Sequence, residues 1–203
     1  MIALHELVAS LDGLLQPELY DDYAPNGLQI EGRALVRRVA LGVSANAALI
    51  DQAIGWGADA LLVHHGFFWR GESPVLTGYR GRRVGALMRA ELSLLGYHLP
   101  LDAHPEWGNN AQLAQRLGFE LDRDVDGKPM VFGHGDLIWR GRCEPCSLET
   151  LGRRIGQALG REPLVLGEPE KMVRTVAWCT GGAQGMMDDA VAHDIDAYIT
   201  GEA

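Results

Sequence analysis

The feature that most limits the folds open to this chain of 203 residues is an internal repeat. Slid along itself by 137 residues without a gap, VRRVALGVSANAALIDQAIGWGADALLVHHG lies over VRTVAWCTGGAQGMMDDAVAHDIDAYITGEA. Identities fall at Val36/Val173, Arg37/Arg174, Val39/Val176, Ala40/Ala177, Asp51/Asp188, Ala53/Ala190, Asp59/Asp196 and Ala60/Ala197, and most other pairs keep their polarity. Two unrelated β-α-β units can share a burial pattern, but such a match seldom runs ungapped, so the repeat is read as a duplication. Each copy must cover a sheet with helices. The expected fold class is therefore α/β, with duplicated β-α-β units forming two similar α/β domains.

Local patterns agree with that reading. Leu4, Leu7, Val8, Leu11, Leu14 and Leu15 recur at helical spacing and Pro17 follows them, which predicts an amphipathic first helix. Pro25-Asn26-Gly27 marks a turn before a short strand at 28–30. Next come a strand over 36–43, a helix capped by Ser44 that carries Leu49, Ile50, Ala53 and Ile54, and a strand over 60–63. A helix around 84–91, a strand near 92–99 and a helix over about 110–117 continue the alternation. Asp122, Asp124, Asp126-Gly127 and Pro129 make a polar, turn-rich passage between the copies, so the expected domains are 1–125 and 126–203. The strand DAYIT is followed only by Gly201-Glu202-Ala203, and the second copy is expected to be incomplete at its carboxyl end.

Composition narrows the function classes. With 18 basic residues against 27 acidic ones the formal net charge is −9, which offers no diffuse positive field for a phosphate backbone, and nucleic acid is not an expected partner. Arg80, Arg82, Arg83 and Arg89 come nearest to a basic cluster, and their spacing is read as the solvated face of a helix in preference to an anion site. His5 and Glu6 interrupt the first apolar residues, and no stretch approaches the roughly eighteen apolar residues of a span, so neither an export signal nor a membrane partner is expected. Three cysteines fit a reducing, cytoplasmic compartment better than a disulfide framework. Cys143 and Cys146 form a C-x-x-C ahead of a helix capped by Ser147; the spacing is common, and a redox or metal role is the lesser reading.

Chemistry concentrates at two strand ends. In LLVHHGFFWR, residues 61–70, an aliphatic run ends in His64-His65. Neighbouring side chains of a regular strand point to opposite faces, so the pair is not suited to one shared ion. At a strand end released from the pleat, with Gly66 supplying backbone freedom, the two imidazoles would diverge toward two metals. Phe67, Phe68 and Trp69 are read as core or subunit interface, with the interface preferred, over a stacking platform. In YHLPLDAHPEWGNN, residues 97–110, His98, Asp102 and His104 cluster where a second apolar strand gives way to a loop. Imidazoles beside a carboxylate suit zinc, manganese, iron or nickel better than copper(I) or an iron–sulfur cluster. A turn-capping Asp102 and an exposed His104 are the competing reading. Both stretches stand at carboxyl ends of strands, where α/β sheets place ligand sites.

Five blocks, in order, carry a further reading: DYAPNGLQIEG (22–32), GADALLVHHGFFWRGESP (57–74), GYHLPLDAHPEWGNNAQLA (96–114), VAWCTGGAQ (176–184) and DAYITGE (196–202). Through them the chain resembles the Nif-three-like, YbgI-type family, many of whose members carry the name GTP cyclohydrolase I type II homologue. The resemblance implies a duplicated α/β protein assembled as a toroidal homohexamer, with a dinuclear metal centre in each subunit. It implies His64, His65 and Asp102 as metal ligands for two divalent ions, with zinc, manganese, iron and nickel as the choices, and His98 as their neighbour, either ligand or catalytic proton carrier. The family's remaining ligands, a histidine and a glutamate four residues on, come from a carboxyl-terminal segment that would lie beyond Ala203; without it, three ligands and water, or Glu202 as a substitute, would hold the metal. The implied activity is metal-dependent hydrolysis of a small molecule, a nucleotide such as GTP, with His98 moving protons. The competing function is a non-catalytic metal-binding ring that delivers, senses or scaffolds, and the lack of a P-loop or nucleotide fingerprint gives it support.

Overall fold

A computed structural model describes residues 1–202. The chain divides into two compact units, Met1–Leu101 and Asp102–Ala203. In chain order the first unit runs β1 (Ile2–Ala3), α1 (Leu4–Leu15), β2 (Gly27–Ile30), β3 (Leu35–Val36), β4 (Val39–Ser44), α2 (Ala47–Trp56), β5 (Ala60–His65), α3 (Gly78–Arg89) and β6 (Ser93–Gly96). Its main sheet has the order β2-β6-β5-β4, with β5 parallel to both β4 and β6 and β2 antiparallel to β6, while β1 pairs with β3.

Around β5 both faces of this sheet are covered, which explains the unbroken apolar run of that strand, whereas Leu41 and Val43 on the edge strand β4 are exposed. Leu61 and Val63 join Ile50 and Ala53 of α2 and Val84 and Leu87 of α3 in one buried cluster. Ala60 and Leu62, on the opposite face by strand alternation, join Leu4 and Leu15 of α1 with Leu95 and Tyr97 in another.

Three local expectations change. The strand expected over 36–43 breaks into β3 and β4, because the backbone N–H groups of Arg37 and Arg38 turn to the Asp59 carboxylate at 2.8 and 3.0 Å. Ser44 ends β4 and does not cap α2; Asn46 does, its side chain accepting the Leu49 N–H at 2.9 Å. The strand expected near 92–99 stops at Gly96, and a short helix the sequence reading left out, α4 (Leu99–Ala103), begins with Pro100 in its first turn, where a missing N–H costs nothing.

The second unit contains α5 (Asn109–Leu117), β7 (Glu120–Leu121), β8 (Val131–Phe132), β9 (Ile138–Ser147), α6 (Leu148–Leu159), β10 (Met172–Cys179), α7 (Met187–Ala192) and β11 (Ala197–Thr200). Its sheet has the order β11-β10-β9-β7, with β8 also on β9, and only β10 and β11 are parallel. This unit takes in α5 and β7, which a division at 125 would leave in the first copy. Ala111, Ala114 and Phe119 are buried with Trp139, Ile155, Val176 and Trp178, and the turn-rich passage folds back on itself with Arg123 bridged to Pro129. Ser147 caps α6 as expected, accepting the Thr150 N–H at 3.3 Å.

The duplication survives in the register. Strands β4 and β5 pair Val39 with Ala60 through Gly42 with Val63, and β10 and β11 pair Val176 with Ala197 through Cys179 with Thr200, every partner displaced by 137. Asp196 repeats the Asp59 clamp by accepting the N–H groups of Arg174 and Thr175 at 2.9 and 3.0 Å. Backbone donors, that of Arg37 foremost, hold the Asp59 carboxyl below its usual range against the effect of burial, and the Thr175 N–H leads the same effect at Asp196. The two aspartates thus play the same structural part in the two copies.

Candidate metal centre

Strands β5 and β6 run parallel with Val63 opposite Gly96, so His64-His65 and Tyr97-His98 stand side by side at one edge of the sheet. Ring centroids lie 4.5 Å apart for His64 and His65, 4.9 Å for His64 and His98, and 5.6 Å for His65 and His98. One ligand nitrogen from each of the three falls within 4.8 Å of the others. The adjacent histidines meet although β5 stays paired through His65, opposite Ser44. The following residue is Gly66. Its glycine is needed for close approach and not for a left-handed backbone, since a Cβ there would collide with the Gln29 amide. That amide is committed: Oε1 accepts the Phe67 N–H at 2.7 Å and Nε2 donates to the Pro25 carbonyl at 2.8 Å.

Each imidazole has its Nδ1 engaged. His64 Nδ1 is 3.0 Å from the Tyr97 carbonyl, His65 Nδ1 is 3.0 Å from Ser44 Oγ, and His98 Nδ1 is 2.8 Å from an Asp22 carboxylate oxygen. A carbonyl and a carboxylate only accept, so Nδ1 of His64 and of His98 is the donor, and Nε2 is the atom a divalent ion would take. The Ser44 hydroxyl is able to serve His65 in the same way. Such outer contacts are how proteins orient metal-binding imidazoles and set their basicity.

Asp22 is the strongest of these partners. Its side chain is 2% exposed and also accepts from Asn26 Nδ2 at 3.0 Å and the Leu99 N–H at 2.9 Å. Burial by itself would push the carboxyl up; the bonds from His98, Asn26 and Leu99 outweigh it and bring the pKa down to about 2. Sequence reasoning missed Asp22, although it opens the first of the five blocks, because its partner is 76 residues away.

The aromatic run after the histidines is divided. Phe67 is buried in the core and Phe68 packs against it, while Trp69 stands edge-on to His98 with centroids 5.0 Å apart and lies 5.8 Å from His65. A positive φ at Phe68, 65°, makes the turn that separates them.

In the second unit Asp102 is buried, its carboxylate accepting from Asn109 Nδ2 at 2.6 Å and the Thr180 hydroxyl at 3.2 Å. His104 stacks on Trp107 and accepts the N–H groups of Glu106 and Trp107 at 3.2 and 3.1 Å, which makes it a local turn residue. Cys143 and Cys146 lie on β9 around a shift of register. Burial, helped by Cys146, pushes the Cys143 thiol up to about 11, the opposite of what a redox dithiol requires. No helix among the described residues is long and apolar enough to cross a membrane.

A duplicated α/β chain with three anchored imidazoles at the ends of parallel strands defines a class of candidate metal-binding proteins. The family model described as Duf34/NIF3 (NGG1p interacting factor 3) matches residues 2–203, and the chain belongs to that family. It is 48% identical over 204 residues to a Pseudomonas aeruginosa protein named GTP cyclohydrolase 1 type 2 homolog, covering 99% of this chain and 78% of that one. A Vibrio cholerae protein of the same name is 47% identical over 202 residues, covering 97% and 77%. The solved structure of protein ybgI, described as of unknown function, matches with a TM-score of 0.90 at 43% identity, covering 100% of this chain and 79% of that chain. These relatives bear out the resemblance drawn from the five sequence blocks and the α/β fold it implied.

Proposed function

We propose that this chain is a metal-dependent hydrolase acting on a small molecule, with a metal centre held by His64, His65 and His98 and with Asp102 as a carboxylate ligand. The observation that carries the reading is three ligand nitrogens within 4.8 Å of one another, on rings whose Nδ1 atoms are all engaged. The donor set suits zinc, manganese, iron or nickel, and two ions per chain are assigned. The part of Asp102 comes from the family resemblance; a buried carboxylate oriented by Asn109 and Thr180 has the donor chemistry for it.

Divalent ions bound there would supply the Lewis acidity that activates water and polarises a substrate bond near neutral pH. The chain's own groups do the rest. Asp22 keeps the proton on His98 Nδ1 and fixes the ring, and Trp69 and Tyr23, with centroids 5.0 and 5.8 Å from that of His98, flank it. His98 is assigned as a third ligand in preference to a proton carrier. GTP is the first substrate to assay, because the relatives carry that name. The reading includes a ring of six copies, which native mass spectrometry tests, and a cytoplasmic setting in which three free cysteines stay reduced.

Elemental analysis of the purified protein should find about two divalent ions per chain, fewer in His65→Ala, and a panel of nucleotides and phosphoesters should reveal turnover that chelation abolishes. Metal without turnover on any substrate would put in its place a non-catalytic protein of metal delivery, sensing or scaffolding.

A further inference from the structure

On the His65 side of the histidine cluster the first unit has a cavity of about 210 Å³, whose wall includes Trp69, Glu72, Tyr79, Arg80 and Arg83 as well as His65. The four arginines read from the sequence as one solvated face are divided by α3. Arg80 and Arg83, three residues apart, line the cavity and are partly buried, while Arg82 and Arg89 are exposed. The Arg80 side chain is 14% exposed and is held by Glu72 at 3.2 Å and the Ser73 carbonyl. Arg83 lies over the Tyr79 ring, 5.1 Å from its centroid, and among the described residues its guanidinium has no carboxylate and no hydrogen-bond acceptor. Stacking holds this planar fork in place with its donors uncommitted. A chain with a net charge of −9 thus turns two guanidiniums, against one carboxylate, into a single cavity next to its histidines.

We propose that this cavity is a subsite for a phosphoryl group of the substrate, with Arg83 as its main ligand and Arg80 as its second. The proposal rests on the hydrolase reading for one point: with the phosphoryl group held here, the rest of the substrate lies against His65 and Trp69, the wall that cavity and cluster share. Two guanidiniums match a dianion with three oxygens, whereas one fork satisfies a lone carboxylate. The volume falls below the roughly 300–1,000 Å³ of pockets that enclose a whole drug-sized ligand, so the cavity takes one end of a molecule. The substrate class is a phosphorylated small molecule.

The test is calorimetric titration with inorganic phosphate of the purified protein, metal-loaded and chelator-stripped, and of Arg83→Gln and Arg82→Gln. Both forms of the wild type should bind saturably. Arg83→Gln should bind at least about tenfold more weakly while keeping wild-type metal content and melting temperature, and Arg82→Gln should match the wild type. Binding that requires the metal and ignores Arg83→Gln overturns the subsite, as does equal weakening by Arg82→Gln or the absence of saturable binding. Ribose 5-phosphate distinguishes the sources: binding tighter than that of phosphate and lost in Arg83→Gln supports the substrate assignment, and binding no tighter than that of the free ion overturns it. Arg83-dependent binding in a protein that holds no metal upholds the subsite while refuting the hydrolase reading, so the two fail separately.

Discussion

Asp22→Asn preserves the size of a side chain that is 2% exposed and removes its charge. The carboxylate accepts from His98 Nδ1, the Leu99 N–H and Asn26 Nδ2 at 2.8, 2.9 and 3.0 Å, and from the Ala24 N–H at 3.3 Å. An amide serves the donors at one of its two positions and points N–H at donors at the other. Metal affinity should fall by about 10–100-fold, or about 1.4–2.7 kcal/mol, the usual cost of removing the partner that orients a ligating histidine. Stability should change as well. A carboxyl lowered from 3.8 to about 2 contributes about 2 kcal/mol at neutral pH. Because the folded-state pKa is the lower one, that contribution is complete above about pH 4 and is lost as the pH falls toward about 2. Chelator competition measures the first effect, and urea denaturation of metal-stripped protein across this pH range measures the second. Wild type should lose about 2 kcal/mol more than Asp22→Asn between the two limits. An Asp22→Asn protein that binds metal as tightly as wild type and shares its acid profile would refute the assignment of Asp22 as the residue that orients His98.

His98→Gln should lose bound metal by elemental analysis if His98 is a ligand; retention of metal with loss of turnover would make it the proton carrier instead. Gly66→Ala should lower the unfolding free energy in urea melts by about 1–3 kcal/mol, since it dislodges the Gln29 amide from the Phe67 N–H, whereas Gly55→Ala, in α2 with nothing within 4 Å of the new Cβ, should raise stability by about 0.5–1 kcal/mol. Asp59→Ala should cost about 3 kcal/mol in urea melts and Asp196→Ala less, because Asp59 is buried and also holds Arg33 at 3.2 Å while Asp196 is only partly buried. With its thiol pushed up to about 11 from an ordinary 9.0, Cys143 should react with a thiol reagent at pH 7 about tenfold more slowly than an unperturbed cysteine, the loss of thiolate being partly offset by the greater nucleophilicity of the more basic anion.

Local order and the duplication were legible from the residues alone. The apolar stripe of α1 and the unbroken run of β5 are one-dimensional signals, and the offset of 137 already implied the shared register later seen in both parallel strand pairs. His64, His65 and His98 stood out because histidines at strand ends are unusual enough to notice in the primary chain. Capping was less legible. Ser44 and Asn46 both suit the start of α2, and what decided between them was the pairing of Ser44 with His65 on the next strand.

The sequence by itself determined that this is a duplicated α/β chain of the NIF3 family with imidazoles at the ends of its first-copy strands. Only the tertiary structure decided what surrounds them: Asp22 behind His98, Ser44 behind His65, the Tyr97 carbonyl behind His64, and Arg80 and Arg83 separated from Arg82 and Arg89. The physical reason is range. Periodicity encodes which face of an element is buried, but hydrogen bonds spanning 21 to 76 residues depend on strand order: β5 beside β4 brings His65 to Ser44, β5 beside β6 brings His64 to the Tyr97 carbonyl, and β2 beside β6 brings Asp22 to His98.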